Sequence, residues 1–481
     1  MNTVAVPSSP PVVLGPARPP RVVVVVGGGL AGCAAAVALG SAGVDVTLVE
    51  ARKSLGGRAS SFEDPQTGEV LDNCQHVLLG CCTNLLDFYR RLGVEGRVRF
   101  EAGVPFYDER GRRFELRATP GLPAPLHLGW SFATFGALTL GERVAAARGM
   151  TAMLRLGRAG RGRLADVPFG QWLDGQRQPA ALVTKLYDPV LIGSLNERTR
   201  DASAAYAVQV FQDAMLAHAD GYVIGVPACP LAQLYERLPC RDVRLGARVA
   251  ELTFASPTSV TGVTLTSGEV LAADAVVLAT NHHGVRRWVP DDAAAGDARF
   301  AHLDKLQSVP ILGVHLWFDR PVLAEPFAAL LSGPLQWVFR KDASGAAVHG
   351  VISAAREWVD VDRGAAMKQF ERQLKSTLPL ARDAALVRGT IVVEKRATFS
   401  PLPGVDRLRP TQAPPPGGID NLYLAGDYTR TGWPATMEGA VRSGYLAAEA
   451  VLVGVTAGGA AGRRFVVEDL AVQWPARLMG L

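Results

Sequence analysis

The chain has 481 residues, with 50 Lys and Arg against 45 Asp and Glu, a length that exceeds one simple core and predicts two interleaved domains. Hydrophobic residues at 48% and charged residues at only 20% exclude a disordered chain. A net charge of +5 without a basic motif argues against a nucleic-acid partner. The six cysteines, Cys33, Cys74, Cys81, Cys82, Cys229 and Cys240, show neither C-x-x-C nor zinc spacing, so no metal site is expected and a reducing, cytoplasmic setting is.

Residues 1–20 are rich in Pro and Ser without a basic start and apolar core, and predict a disordered tail rather than a signal peptide. No run of about 20 apolar residues is free of charge, Gly and Pro, so no spanning helix is expected. The weakest of those exclusions is Gly444 to Gly462, whose Ala and Gly content suits a packed helix and loop. Val22 to Val26 read as a strand buried on both faces, since a half-exposed strand would alternate. Gly27, Gly29 and Gly32 then fit G-x-G-x-x-G between a strand and an Ala-rich helix, the dinucleotide fingerprint. Leu30 and Ala31 open that helix, whose free N–H groups and positive dipole end suit phosphates. A second strand, Val44 to Val49, ends at Glu50, which can accept both hydroxyls of an adenosine ribose. That acid fits FAD or NAD and not NADP.

Ala51, Arg52, Gly56, Gly57 and Arg58 extend the pattern to E-A-R-x-x-x-G-G-R. Here the chain resembles the flavin amine oxidase and phytoene desaturase superfamily. The resemblance implies FAD, with the glycine pair and Arg58 along its pyrophosphate and ribityl chain. Next comes Asp72-Asn73-Cys74-Gln75-His76, in which Cys74 stands where the superfamily carries the Gly of D-x-G. Cys tolerates positive φ poorly, so the substitution bears on the local backbone. The longer string DNCQHVLLGCC is similar to the squalene-associated flavin desaturase branch, whose characterised activity is dehydroxylation of hydroxysqualene. Gln75 and His76 either close a turn by hydrogen bonds or stand near the flavin ring, where an imidazole moves a proton.

Asn84 to Leu92 predict a short amphipathic helix stopped by Gly93, and residues 100–117 alternate as strands of a second domain. Trp130, Phe132, Phe135, Leu138 and Leu140 form an apolar stretch followed by Arg143, Arg148, Arg155, Arg158, Arg161 and Arg163. This is either a core helix with a solvated face or a surface that lies on an anionic membrane. Residues 169–220 read as mostly helical. After Tyr222 the chain returns to the first domain, with a helix over Leu231–Leu238 and strands over Val243–Val249 and Ala275–Thr280. By the resemblance, Val249 offers its backbone to the adenine. Within 300–400, Pro310–Phe318 and Leu335–Phe339 predict strands of a mostly antiparallel sheet. Glu394, Lys395 and Arg396 are either a charge cluster at a strand end or include the lysine that amine oxidases keep near flavin N5. A Pro-rich linker, 409–418, leads to a strand ending in Gly426-Asp427, where the resemblance places an acid on the ribityl or phosphate region. Thr436 and Met437 then open a helix whose N-terminus can face the flavin pyrimidine. Val466, Leu470, Trp474 and Leu478 share one helical face near the end, interrupted by Pro475.

The expected fold is α/β, a doubly wound FAD-binding Rossmann-like domain with an interleaved α+β substrate domain of amine oxidase type. The first would comprise 21–100, 221–298 and 415–458, the second 101–220 and 299–414, with 459–481 a tail. The resemblance implies reduction of hydroxysqualene, an apolar isoprenoid, to squalene for hopanoid or related triterpene synthesis. His76 is then the first choice of acid and Lys395 the second; the electron donor stays open, as does peripheral membrane contact. The alternatives are a carotenoid-type desaturase or isomerase and, more remotely, a non-catalytic prenyl-binding chaperone of the same fold.

Overall fold

The computed structural model describes residues 22–65, 67–453 and 463–481; the tail expected at 1–20 lies outside them. Five strands, β1 (Val22–Val26), β2 (Asp45–Glu50), β3 (Asp242–Leu245), β4 (Ala275–Leu278) and β5 (Leu422–Leu424), form one parallel sheet in the order β3-β2-β1-β4-β5. The valine run of β1 is central, paired with β2 on one side and β4 on the other, and both of its faces are covered. Val23 and Val25 pack towards two helices, α1 (Leu30–Ser41) and α2 (Met437–Val453). Val24 and Val26 pack on the opposite side, with side chains from an antiparallel sheet of Val249–Ser256, Ser259–Leu265 and Val270–Ala272. The two helices lie very close: a Cβ added at Gly444 would stand 2.2 Å from the Ala31 carbonyl oxygen. The stretch that begins at Gly444 is therefore the body of a packed helix as far as Val453.

Two expected elements are shorter. The strand expected over Val243–Val249 breaks at Gly246, which takes φ +70° and donates to the Arg52 carbonyl at 2.8 Å while Ala247 donates to that of Glu50 at 3.0 Å. Val249 consequently opens the antiparallel sheet instead of ending the parallel one. The helix expected at Leu231–Leu238 is a single 3-10 turn, Leu231–Leu234.

The second layer is a seven-stranded sheet ordered Leu386–Phe399, Ser308–Phe318, Ala347–Ile352, Trp337–Arg340, Phe327–Leu330, Gly103–Tyr107 and Arg113–Arg117. It is antiparallel except between Phe327–Leu330 and Gly103–Tyr107. Leu312, Val314 and Leu316 on one face pack with Phe370 and Leu374 of the helix Arg363–Thr377. The alternate residues Gly313 and His315 meet the turn at Asp72–Asn73.

The Arg-rich stretch is largely internal wiring. Arg143 donates to the carbonyls of Leu138 and Phe135, both at 3.1 Å. Arg148 reaches those of Gln176 and Arg177, while Arg158 and Arg161 pair with the buried Asp213 at 3.1 and 2.6 Å. Of the helical face read through Val466, Leu470, Trp474 and Leu478, with an interruption at Pro475, only Trp474–Leu478 is helical, and Pro475 lies in its first turn. Upstream, the extended chain is strapped down by Glu449, which accepts the Phe465 and Val466 amides, and by Asn84, which accepts that of Val467. Among the described residues, no helix is long and apolar enough to cross a membrane.

Candidate cofactor and active site

The glycine turn after β1 is shaped by contacts that leave no room for side chains. A Cβ on Gly27 would come 2.6 Å from the Ala279 carbonyl oxygen, and one on Gly32 would come 1.9 Å from that of Gly27. Gly29 differs: a Cβ there would meet only Gly57 Cα, at 4.0 Å, so its backbone borders a groove open to a ligand. Glu50 closes the turn, its two carboxylate oxygens accepting the Gly28 amide at 2.6 Å and the Arg52 amide at 2.7 Å. A carboxylate offers roughly four acceptor positions, so capacity remains for ribose hydroxyls. Gly56 donates to the Gly28 carbonyl at 2.8 Å, and Gly56 and Gly57 take φ +99° and +61°. The Arg52 guanidinium braces this second turn through the Gly57 carbonyl at 3.0 Å, while Ala51 is exposed. Leu30 and Ala31 are buried at the start of α1, and Val249 lies just past the Ala247–Glu50 contact, at 5% exposure. The Thr280 hydroxyl, buried beside Gly27, has no hydrogen-bond partner among the described residues.

The far end of the chain completes the groove. Arg58 donates to Asp427 Oδ1 at 2.6 Å and to the Ala397 carbonyl at 2.5 Å, joining both glycine motifs to the seven-stranded sheet. Burial works against the Arg58 charge, but Asp427 and Glu394 outweigh it and hold the guanidinium above its ordinary range. Gly426 takes φ +149° and donates to Ser443 Oγ at 2.8 Å. Thr436 caps α2 by accepting the Gly439 amide at 3.0 Å, and Met437 is the first residue of that helix. Glu438 behind it accepts from Asn84 Nδ2, the Leu85 amide and Arg442 Nε at 2.9, 2.8 and 2.7 Å. Arg409, its side chain wholly buried, binds the carbonyls of Asp427, Tyr428 and Thr429 and stacks over Phe399. Sequence reasoning missed Arg409, whose position in a Pro-rich linker gave no signal.

The Asp72–His76 turn adjoins this junction, since Asn73 Nδ2 donates to the Arg58 carbonyl at 2.9 Å. Cys74 is buried and is not among the residues with positive φ, so the backbone here does not require Gly. Both side chains singled out beyond it close the turn: Gln75 Nε2 donates to the His76 carbonyl at 3.4 Å and its Oε1 accepts from Lys341 at 3.2 Å. His76 Nδ1 donates to the Cys74 carbonyl at 3.0 Å, leaving Nε2 without a hydrogen-bond partner among the described residues. Burial pulls the His76 pKa below its ordinary value. Lys395 is exposed. It lies not at a strand end but in a bulge, where Glu394 to Thr398 oppose only Ile311 to Val309, and bulges re-aim side chains next to functional sites. The bulged Ala397 is the residue that receives Arg58.

A parallel sheet with a glycine turn, an acid at the end of β2 and a returning Gly-Asp motif defines a dinucleotide-binding flavoprotein, and the open backbone at Gly29 with the unpaired Thr280 hydroxyl fits FAD. The chain belongs to the flavin containing amine oxidoreductase family, whose model matches residues 30–452, and its cofactor is FAD. It is 28% identical over 453 residues to a hydroxysqualene dehydroxylase of Zymomonas mobilis, covering 89% of this chain and 98% of that protein. A 15-cis-phytoene desaturase of Synechococcus elongatus is 27% identical over 464 residues, covering 89% and 95%. Among solved structures, putrescine oxidase bound to putrescine matches with a TM-score of 0.67 at 19% identity, covering 90% of this chain and 99% of that one.

Proposed function

We propose that the protein is an FAD-dependent dehydroxylase that reduces hydroxysqualene to squalene in hopanoid or related triterpene synthesis. The observation that carries this reading is His76, a half-buried imidazole with one free nitrogen on the turn bonded to Arg58. Removing an allylic hydroxyl requires a proton for the departing oxygen, whereas desaturation of a hydrocarbon does not. FAD, when bound and reduced, supplies the hydride. The protein's own share is to protonate the oxygen so that water leaves, to orient the chain and to exclude bulk water from the allylic cation. For His76 to act as the acid it must be charged. Burial and Arg58 oppose that charge while Asp72 and the Cys74 carbonyl favour it, with a net downward shift. Turnover should therefore rise as pH falls through a value below 6.5. Lys395, exposed in the bulge beside Ala397, is the secondary candidate, in an electrostatic role.

Entry of so apolar a substrate is supported by the surface. Leu122, Leu126 and Trp130 are exposed, as are Trp474 and Leu478, and the two segments meet where the Ala124 amide donates to Gln473 Oε1 at 2.5 Å. Peripheral contact with a membrane through this face is part of the proposal.

The test is anaerobic incubation of the reduced protein with hydroxysqualene, and of the oxidised protein with phytoene, followed by lipid analysis. Squalene from the first supports the proposal; desaturated phytoene without squalene supports the rival. His76→Ala should retain flavin and slow squalene formation, and an undiminished rate would make His76 structural.

A further inference from the structure

We propose that His349 recognises the substrate's hydroxyl, selecting an isoprenoid alcohol over the matching hydrocarbon; the inference rests on the function proposed above and names the group that reads its substrate class. His349 lies on the strand Ala347–Ile352, directly opposite His315 on Ser308–Phe318, with the two rings 4.0 Å apart. The partners differ sharply. His315 Nε2 donates to the Asp72 carbonyl at 3.0 Å, whereas His349 is fully buried and neither ring nitrogen has a hydrogen-bond partner among the described residues. Buried polar groups in native proteins are almost always paired, and an imidazole left with both nitrogens free points to a ligand that pairs it.

The sheet makes room for this ring. A Cβ on Gly313 would come 2.6 Å from His349 Nε2 and 3.1 Å from the Asn73 carbonyl oxygen, so glycine is what lets the imidazole sit where the sheet meets the Asp72–His76 turn. The same Asn73 is bonded to Arg58, which sets the unpaired imidazole against the turn that adjoins the cofactor groove. Its wider surroundings suit a neutral guest. Burial holds His349 well below its ordinary pKa, and His315, Lys341 and His76 add to that; burial also takes His315 down to about 4. A neutral imidazole is both donor and acceptor, which matches a hydroxyl. No group of three or more His, Cys, Asp or Glu among the described residues could hold a metal ion, so a metal does not explain the arrangement. A hydrocarbon would leave the imidazole unpaired, and sites built to hydrogen-bond a substrate hydroxyl reject analogues that lack it.

The experiment measures binding of hydroxysqualene and of squalene to the oxidised holoprotein, which cannot turn over, by perturbation of the flavin absorbance. The wild type should hold the alcohol at least about tenfold more tightly than squalene. His349→Leu should bring that ratio to about one by weakening the alcohol alone, with flavin content unchanged, and His349→Gln, which keeps a donor and an acceptor, should recover part of it. Equal affinities in the wild type, or a preference that survives in His349→Leu, would overturn the proposal. So would loss of flavin in both variants, which would give the imidazole to the cofactor. Absence of squalene formation with the alcohol preference intact would instead sink the dehydroxylase reading and leave this one standing.

Discussion

Replacing Arg58 by alanine removes the side chain that joins the two ends of the cofactor groove. Two charge-assisted hydrogen bonds disappear, to Asp427 Oδ1 at 2.6 Å and to the Ala397 carbonyl at 2.5 Å. Each such bond contributes about 1.5–3 kcal/mol. The Arg58 side chain is 34% exposed and that of Asp427 only 8%, so screening favours the low end of that range, about 3 kcal/mol for the pair. The Asp427 carboxylate is also left buried without its cation, which pushes the loss upward. Expressed wholly in binding, 3 kcal/mol is roughly a hundredfold in Kd; part of it will instead lower the stability of the apoprotein, where the pair is already formed. The assay is FAD titration of the apoprotein by fluorescence quenching, with thermal melts of the apo and FAD-loaded forms. The expected result is a Kd raised at least about tenfold together with a lower apo melting temperature. Arg58→Lys should recover only part, because an ammonium cannot reach both acceptors in the geometry of the guanidinium fork. A variant with unchanged Kd and unchanged melting would refute the claim that this pair holds the groove together.

Other substitutions test the remaining supports. Glu50→Ala deprives the Gly28 and Arg52 amides of their acceptor and should weaken FAD binding by about 2 kcal/mol; undiminished flavin content after purification would refute the assignment. Arg409→Met removes a wholly buried guanidinium from the carbonyls of Asp427, Tyr428 and Thr429. It should destabilise the fold by about 3 kcal/mol or more in denaturant unfolding, and an unchanged midpoint would show that the loop is held otherwise. Trp130→Ser combined with Leu126→Ser should reduce co-sedimentation with anionic lipid vesicles severalfold while leaving the melting temperature unchanged, since both side chains are exposed; undiminished sedimentation would reject the membrane face.

What could be read without coordinates was local. Five valines in a row, glycines at 27, 29 and 32 and an acid at 50 reveal a buried strand, a tight glycine turn and a carboxylate that closes it, because each depends on residues within one β-α-β unit. The run told that β1 is covered on both faces but not that it stands at the centre of its sheet, which strand pairing decided. The resemblance at Gly426-Asp427 placed a second piece of the groove but not its partner. Hydropathy reports which face of a segment is buried and says nothing about which remote segment covers it. Hence Arg58 meeting Asp427 across 369 positions, the bulge that turns Ala397 towards it, and the pairing of His315 with His349 were decided by tertiary structure alone. The partners of the arginines at 143–163 were equally hidden: Arg158 and Arg161 pair with Asp213, while Arg143 and Arg148 donate to backbone carbonyls. In the tail, the amides of Phe465, Val466 and Val467 bond to Glu449 and Asn84, remote side chains that no local pattern reveals, and only Trp474–Leu478 is helical. Sequence fixes what a short segment can form; competition among distant hydrogen-bonding groups for the same buried positions decides what it does form.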